Sequence, residues 1–230
     1  MPTHEDMNMA GHLNRTDREV ARLVRYLPES VDAQRTEALL KITGWIHDLG
    51  ELTHGDVLYQ LRADSDTAEE RAAFTIIIDR LFEHMEPGPQ HLLRHLYRSV
   101  ALPTNEREKH PTLAPLFKAV EKLGYLRTAL EIALAQPADV KGHLLSTSVL
   151  HYHQNWFAEE ATRGSFLHNA LEDMLPDLRA VLELKRNRAE QTQQELRAEL
   201  QHEVTSGKRQ SFSDSEIRCE FASWWSLCGT

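Results

Sequence analysis

In the stretch Ile46-His47-Asp48-Leu49-Gly50-Glu51-Leu52-Thr53-His54-Gly55-Asp56, a histidine and an aspartate stand side by side. A glutamate follows three residues later, and a glycine then presents a further aspartate. Ionisable groups packed this densely must each find water or a partner. The segment is therefore either a polar surface turn or a place where side chains converge on a cation. A divalent transition metal takes neutral imidazole and carboxylate ligands at about 2.0–2.2 Å. Such an ion lowers the pKa of a bound water toward about 7 and stabilises charge developing on a phosphoryl group. A neighbouring carboxylate outside the ligand set can orient that water or protonate a leaving oxygen.

These residues need a helix to carry them. Leu39, Ile42, Trp45, Ile46 and Leu49 recur at helical spacing, which predicts a helix over residues 31–49 with Gly50 closing its end. His47 and Asp48 then fall in its last turn. Adjacent helical residues point about 100° apart, so the pair can address one ligand only from the helix edge. Upstream, Thr16-x-x-Glu19 reads as a capping box opening a helix through Val20, Leu23, Val24 and Leu27, with Pro28 ending it. Residues 1–14 read as polar and aperiodic. His12 and Arg15, three apart, can share a face.

The remaining chain is also helical in pattern. Thr67-x-x-Glu70 reads as a second capping box, before Phe74, Ile77, Ile78, Leu81 and Phe82. Pro87-Gly88-Pro89 reads as a break, and Leu92 to Val100 as a short helix ending before Pro103. Residues 103–112 read as a polar loop. Leu116, Val120, Leu123, Leu126 and Leu130 mark a helix over 113–135. Periodicity resumes over 144–161 and 166–184. Residues 184–204 are charged and Gln-rich, which predicts a projecting, solvent-facing helix. The tail beyond, including Trp224-Trp225, reads as loosely packed. No alternating strand pattern or internal repeat occurs. The expectation is an all-α protein, with one domain over 1–184 and a charged helical extension with a flexible tail over 185–230.

Composition narrows the function classes. A net charge of −9 without a long basic cluster argues against stable nucleic-acid or anionic-membrane binding. No apolar run reaches transmembrane length, and no signal-peptide pattern opens the chain. Cys219 and Cys228 match no common zinc or redox spacing. A cytoplasmic protein without structural disulfides is expected. Thirteen histidines in an acidic chain make metal ligation the chemistry to look for. His91 and His95 have helical ligand spacing, but their apolar neighbours point elsewhere and they read as solvent-side. His54 reads as an outer or exposed group, and His151 and His153 as surface or interhelix residues.

His12, His47-Asp48, Glu51 and Gly55-Asp56 together resemble the HD-domain metal-dependent phosphohydrolases. The string His-Asp-Leu-Gly-Glu-x-x-x-Gly-Asp is closest to the bacterial 5′-deoxynucleotidase branch. The resemblance covers about residues 5–135. It implies an HD-domain helical bundle and one divalent ion (Mn, Co, Zn, Fe or Mg) held by His12, His47, Asp48 and a carboxylate from a later helix. In Ala119-Val120-Glu121-Lys122-Leu123-Gly124-Tyr125-Leu126 that carboxylate is Glu121, where the family pattern carries aspartate. The resemblance implies proton transfer by Glu51. Asp56 would meet a sugar hydroxyl or an outer water, and Arg15 the substrate phosphate. The substrate implied is a small nucleotide, first of all a (deoxy)nucleoside 5′-monophosphate, and the assembly a homodimer. The Arg-Trp pair that relatives carry before the first histidine has no counterpart, so nucleotide specificity does not carry over. The alternatives are a triphosphohydrolase or phosphodiesterase of the same fold, or a catalytically degenerate binding or scaffold protein.

Overall fold

The computed structural model describes residues 9–50, 64–103, 105–135, 140–163, 165–218 and 221–229. Every regular element among them is helical, and the protein is all-α. No helix among the described residues is long and apolar enough to cross a membrane. Packing divides the chain into two compact units. One comprises Leu13–Arg25 and Glu29–Val120, the other Met1–His12, Tyr26–Pro28 and Glu121–Thr230.

Helix α1 spans Met9–Leu23, so the expected capping box at Thr16 lies inside it rather than at its start. Thr16, Glu19, Val20 and Leu23 are all buried and share one face. Two of the four are polar, which is why an apolar count misses the first turns of this helix. The buried Glu19 carboxylate accepts a hydrogen bond from Arg22, 2.5 Å away and one turn on.

Helix α2 spans Ala33–Ile46, shorter than expected at both ends. Asp32 caps it by accepting from the Arg35 main-chain N–H at 2.9 Å. Its buried residues are Thr36, Leu40, Thr43, Gly44 and Ile46. Trp45, expected on the apolar face, is 57% exposed, and its Nε1 donates to Asp17 at 3.1 Å. The face turned inward is the one with small residues, because α1 comes very near to it. A Cβ built on Gly44 would stand 2.7 Å from Cγ2 of Thr16.

Helix α3 spans Asp64–Leu81 and begins before Thr67, so this second capping-box reading is also replaced. Glu70 is buried, with the Tyr97 hydroxyl donating to it at 3.4 Å. Gly50 was expected as a left-handed cap. Instead it lies so near the Glu70 main chain that any Cβ would collide with the carbonyl oxygen. Helix α4, Pro87–Leu96, starts on Pro87-Gly88-Pro89 rather than after it. Proline is tolerated in a first turn, where its missing N–H would have no intrahelical partner. A wide turn, Tyr97–Ala101, follows, closed by the Leu102 N–H donating to the Tyr97 oxygen at 2.8 Å. Helix α5 is Leu113–Ala135 as expected, and its whole predicted stripe is buried.

The second unit contains α6 (Val140–Arg163), α7 (Ser165–Glu172), α8 (Leu175–Asn187), α9 (Ala189–Thr205), α10 (Asp214–Ile217) and α11 (Ala222–Leu227). The segment expected to project into solvent does not do so: α9 packs on α6, α8 and α10. Its Leu196 and Leu200 bury against Ile217 and Phe212. Polar residues complete the face. Glu195 accepts from Thr147 at 2.8 Å and lies 3.7 Å from the buried Lys185, while Glu203 accepts from Tyr152 at 2.5 Å. The tail is also seated. Trp224 is fully buried, donates its indole N–H to the Leu150 oxygen at 2.7 Å, and packs on Phe157 with centroids 5.0 Å apart. Hydrophobic periodicity could not register a face made half of paired polar groups.

Candidate metal centre

The approach of α1 to α2 starts from Thr16 and Gly44. His12 precedes Thr16 by one helical turn, and His47 follows Gly44 by three residues. The two histidines are thereby carried to the same end of the helix pair. His47 is the first residue after α2, with its main-chain N–H still donating to the Thr43 oxygen at 2.9 Å. Asp48 follows in the same turn.

The His47 ring is buried and held on two sides. Its Nδ1 lies 2.6 Å from the Gly44 carbonyl oxygen. A carbonyl only accepts, so Nδ1 carries the hydrogen. The edge of Phe117 meets the ring with centroids 5.3 Å apart and planes at 76°. Nε2 is left facing Asp48, whose Oδ1 stands 3.0 Å away. In a neutral imidazole with Nδ1 protonated, Nε2 is a lone pair. A lone pair and a carboxylate oxygen at that distance repel unless something positive is shared between them, either a second ring proton or a cation.

Ligand atoms of His12, His47 and Asp48 all lie within 4.8 Å of one another. Two ligands about 2.1 Å from an ion and about 90° apart are about 3.0 Å from each other. The Nε2–Oδ1 separation has this value. Two imidazoles and one carboxylate suit first-row divalent metals and leave coordination positions open. The Nδ1 bond to Gly44 is the outer contact that orients a ligating histidine. The residues present therefore fit a divalent ion.

Other expected site residues are placed as follows. Arg15 is on α1, three residues after His12, and half-buried. Glu121 is on α5 and half-buried, and it is not one of the three grouped residues. Glu51, Asp56 and His54 lie outside the described residues. His91 and His95 are exposed on α4, as expected of solvent-side histidines. His153 is half-buried, 3.2 Å from Lys122 Nζ through its Nδ1, with its ring facing Tyr125.

Three positioning residues escaped the sequence reading: Gly44, Thr16 and Phe117. Gly44 carried a usable signal. Glycine inside a helix costs about 1 kcal/mol relative to alanine, so its presence points to a close approach. Compared with known protein families, with curated proteins and with solved structures, the chain matches none.

Proposed function

We propose that the protein is a divalent-metal-dependent phosphohydrolase acting on a small nucleotide, with a nucleoside 5′-monophosphate as the leading substrate. The observation that carries this reading is the opposed pair His47 Nε2 and Asp48 Oδ1 at 3.0 Å, with His12 completing a three-donor group. Support also comes from the resemblance of this set and its spacing to HD-domain phosphohydrolases.

His12, His47 and Asp48 would hold the ion, with Glu121 as a fourth ligand. When bound, the ion supplies a Lewis acid toward phosphoryl oxygen and an acidified water. The chain's own contributions are distinct. Gly44 and Phe117 hold the His47 ring in one orientation, so Nε2 needs no reorganisation to bind. Arg15, one turn beyond His12, offers a planar guanidinium to a phosphate. Glu51 would move a proton between water and the leaving oxygen, and Asp56 would accept from a sugar hydroxyl.

The test is orthophosphate release from a panel of nucleotides with added Mn²⁺, Co²⁺ or Zn²⁺. Release from at least one nucleoside monophosphate is expected. No release from any nucleotide by protein with stoichiometric bound metal sinks the proposal. Pyrophosphate or triphosphate as product would move it to the triphosphohydrolase reading, and cleavage of cyclic or dinucleotide bonds to the phosphodiesterase one. A second reading, a binding or scaffold protein on the same framework, is favoured by one observation: Glu121 stands outside the three-residue group. Metal bound without turnover supports it.

A further inference from the structure

A cavity of about 270 Å³ lies beside α3, α4 and the turn Tyr97–Ala101. None of His12, His47 and Asp48 lines it. Three arginines do, Arg71, Arg94 and Arg98. Arg94 and Arg98 are four residues apart on one helical run, so their side chains leave the same face. Arg71 comes from α3. In a chain of net charge −9, this local convergence runs against the overall composition.

The resident acceptors do not use up these donors. Arg94 pairs with Asp79, and Glu108 lines the cavity but is exposed. Arg71 gives one N–H to the Leu102 oxygen at 3.4 Å. Neither Arg71 nor Arg98 forms an ion pair with a carboxylate among the described residues. Each guanidinium carries five N–H donors in a fixed fork. Like charges at four-residue spacing destabilise a helix unless something negative sits between them. Two buried aromatic rings also line the cavity, Phe74 and Tyr97, stacked with centroids 3.5 Å apart. Such rings lower the local dielectric and strengthen the field of the arginines.

We propose that this cavity binds the phosphate group of a compact phosphorylated compound. Arginines from separate elements match the several oxygens and double charge of a phosphate. A carboxylate offers one plane and one charge. The volume falls just below the range of about 300–1,000 Å³ usual for drug-sized ligands, so the ligand is a phosphate with a short remainder. This site is independent of the metal reading above.

The test is calorimetric titration of the full chain with inorganic phosphate and with pyrophosphate, in the presence of a chelator. Saturable binding of at least one is expected, with acetate much weaker. Arg98→Gln, at an exposed position, should leave the melting temperature of the free protein unchanged and weaken binding by roughly tenfold, the usual cost of one charge-assisted hydrogen bond. Arg71→Gln with Arg98→Gln should abolish it. Absence of saturable binding overturns the proposal. So does full affinity in Arg98→Gln, or binding lost in Asp48→Ala but kept in the arginine variants.

Discussion

Gly44 on α2 and Thr16 on α1 approach so nearly that a methyl group added at position 44 would stand 2.7 Å from the threonine Cγ2. Thr16 is β-branched and stiff, so it cannot swing aside without cost. Gly44→Ala should therefore destabilise the protein by about 1–3 kcal/mol through overpacking, and weaken Mn²⁺ or Zn²⁺ binding by spreading His12 from His47. Thr16→Ser removes the offending methyl. Combined with Gly44→Ala it should recover much of both losses, read by urea unfolding and metal titration. An unrecovered double variant would show that another contact fixes the helix spacing.

Asp48 and His47 face each other through atoms that repel unless they share a positive charge. Asp48→Ala should abolish metal binding and any turnover together, while far-ultraviolet circular dichroism stays helical. His47→Ala should do the same. Full activity in the Asp48 variant would remove the centre from its proposed place.

Lys185 is buried, with its Nζ donating to the His143 oxygen at 2.8 Å and to Thr147 Oγ1 at 2.6 Å, and with Glu195 at 3.7 Å. Removing the cation alone strands Glu195. Lys185→Met should cost about 3–5 kcal/mol in urea unfolding, and Lys185→Met with Glu195→Leu should recover most of it. Equal losses in single and double variants would mean that the hydrogen bonds, not the charge pairing, dominate.

The pKa of His151 is lowered below its ordinary value of about 6.5, first by burial and then by the Arg209 guanidinium, with Glu203 and Glu216 pulling the other way. The folded form therefore binds the proton less readily than the unfolded chain. The stability from this group is present above about pH 6.5 and is lost as pH falls through the lower folded value. His151→Gln should flatten the decline of the urea midpoint between about pH 7 and 5. An unchanged profile in this variant would assign the decline to other groups.

Trp224 fills space beside Phe157 and is bonded to Leu150. Deleting everything after Arg218 should lower stability by about 3–5 kcal/mol, the scale of losing a buried tryptophan. Trp224→Phe should lose less, because it keeps part of the packing. A truncated chain as stable as the full one would return the tail to the loose state its composition suggests.

Some of this was legible in the residues themselves. The α5 stripe is a clean apolar run, and it folds over the expected span with every stripe residue buried. His12, His47 and Asp48 were singled out by type and spacing, and the fold gathers these three. Elsewhere the apolar pattern misled. Trp45 belongs to the periodic stripe of α2 yet faces outward, because α1 demands a small residue at Gly44. The two presumed capping boxes sit inside helices, since Thr16, Glu19 and Glu70 are buried groups with partners rather than exposed caps.

From the sequence alone came the helical class, the span of α5 and the chemistry-bearing types at 12, 47 and 48. Local periodicity and side-chain chemistry are properties of neighbouring residues, so no fold is needed to read them. The tertiary structure decided that the Glu195 carboxylate arrives beside the buried Lys185 and that α9 lies on α6 instead of projecting. It also decided that arginines from separate elements line one cavity. Each of these depends on which distant carbonyl, carboxylate or cation arrives opposite a polar group, and that is set only when the helices pack.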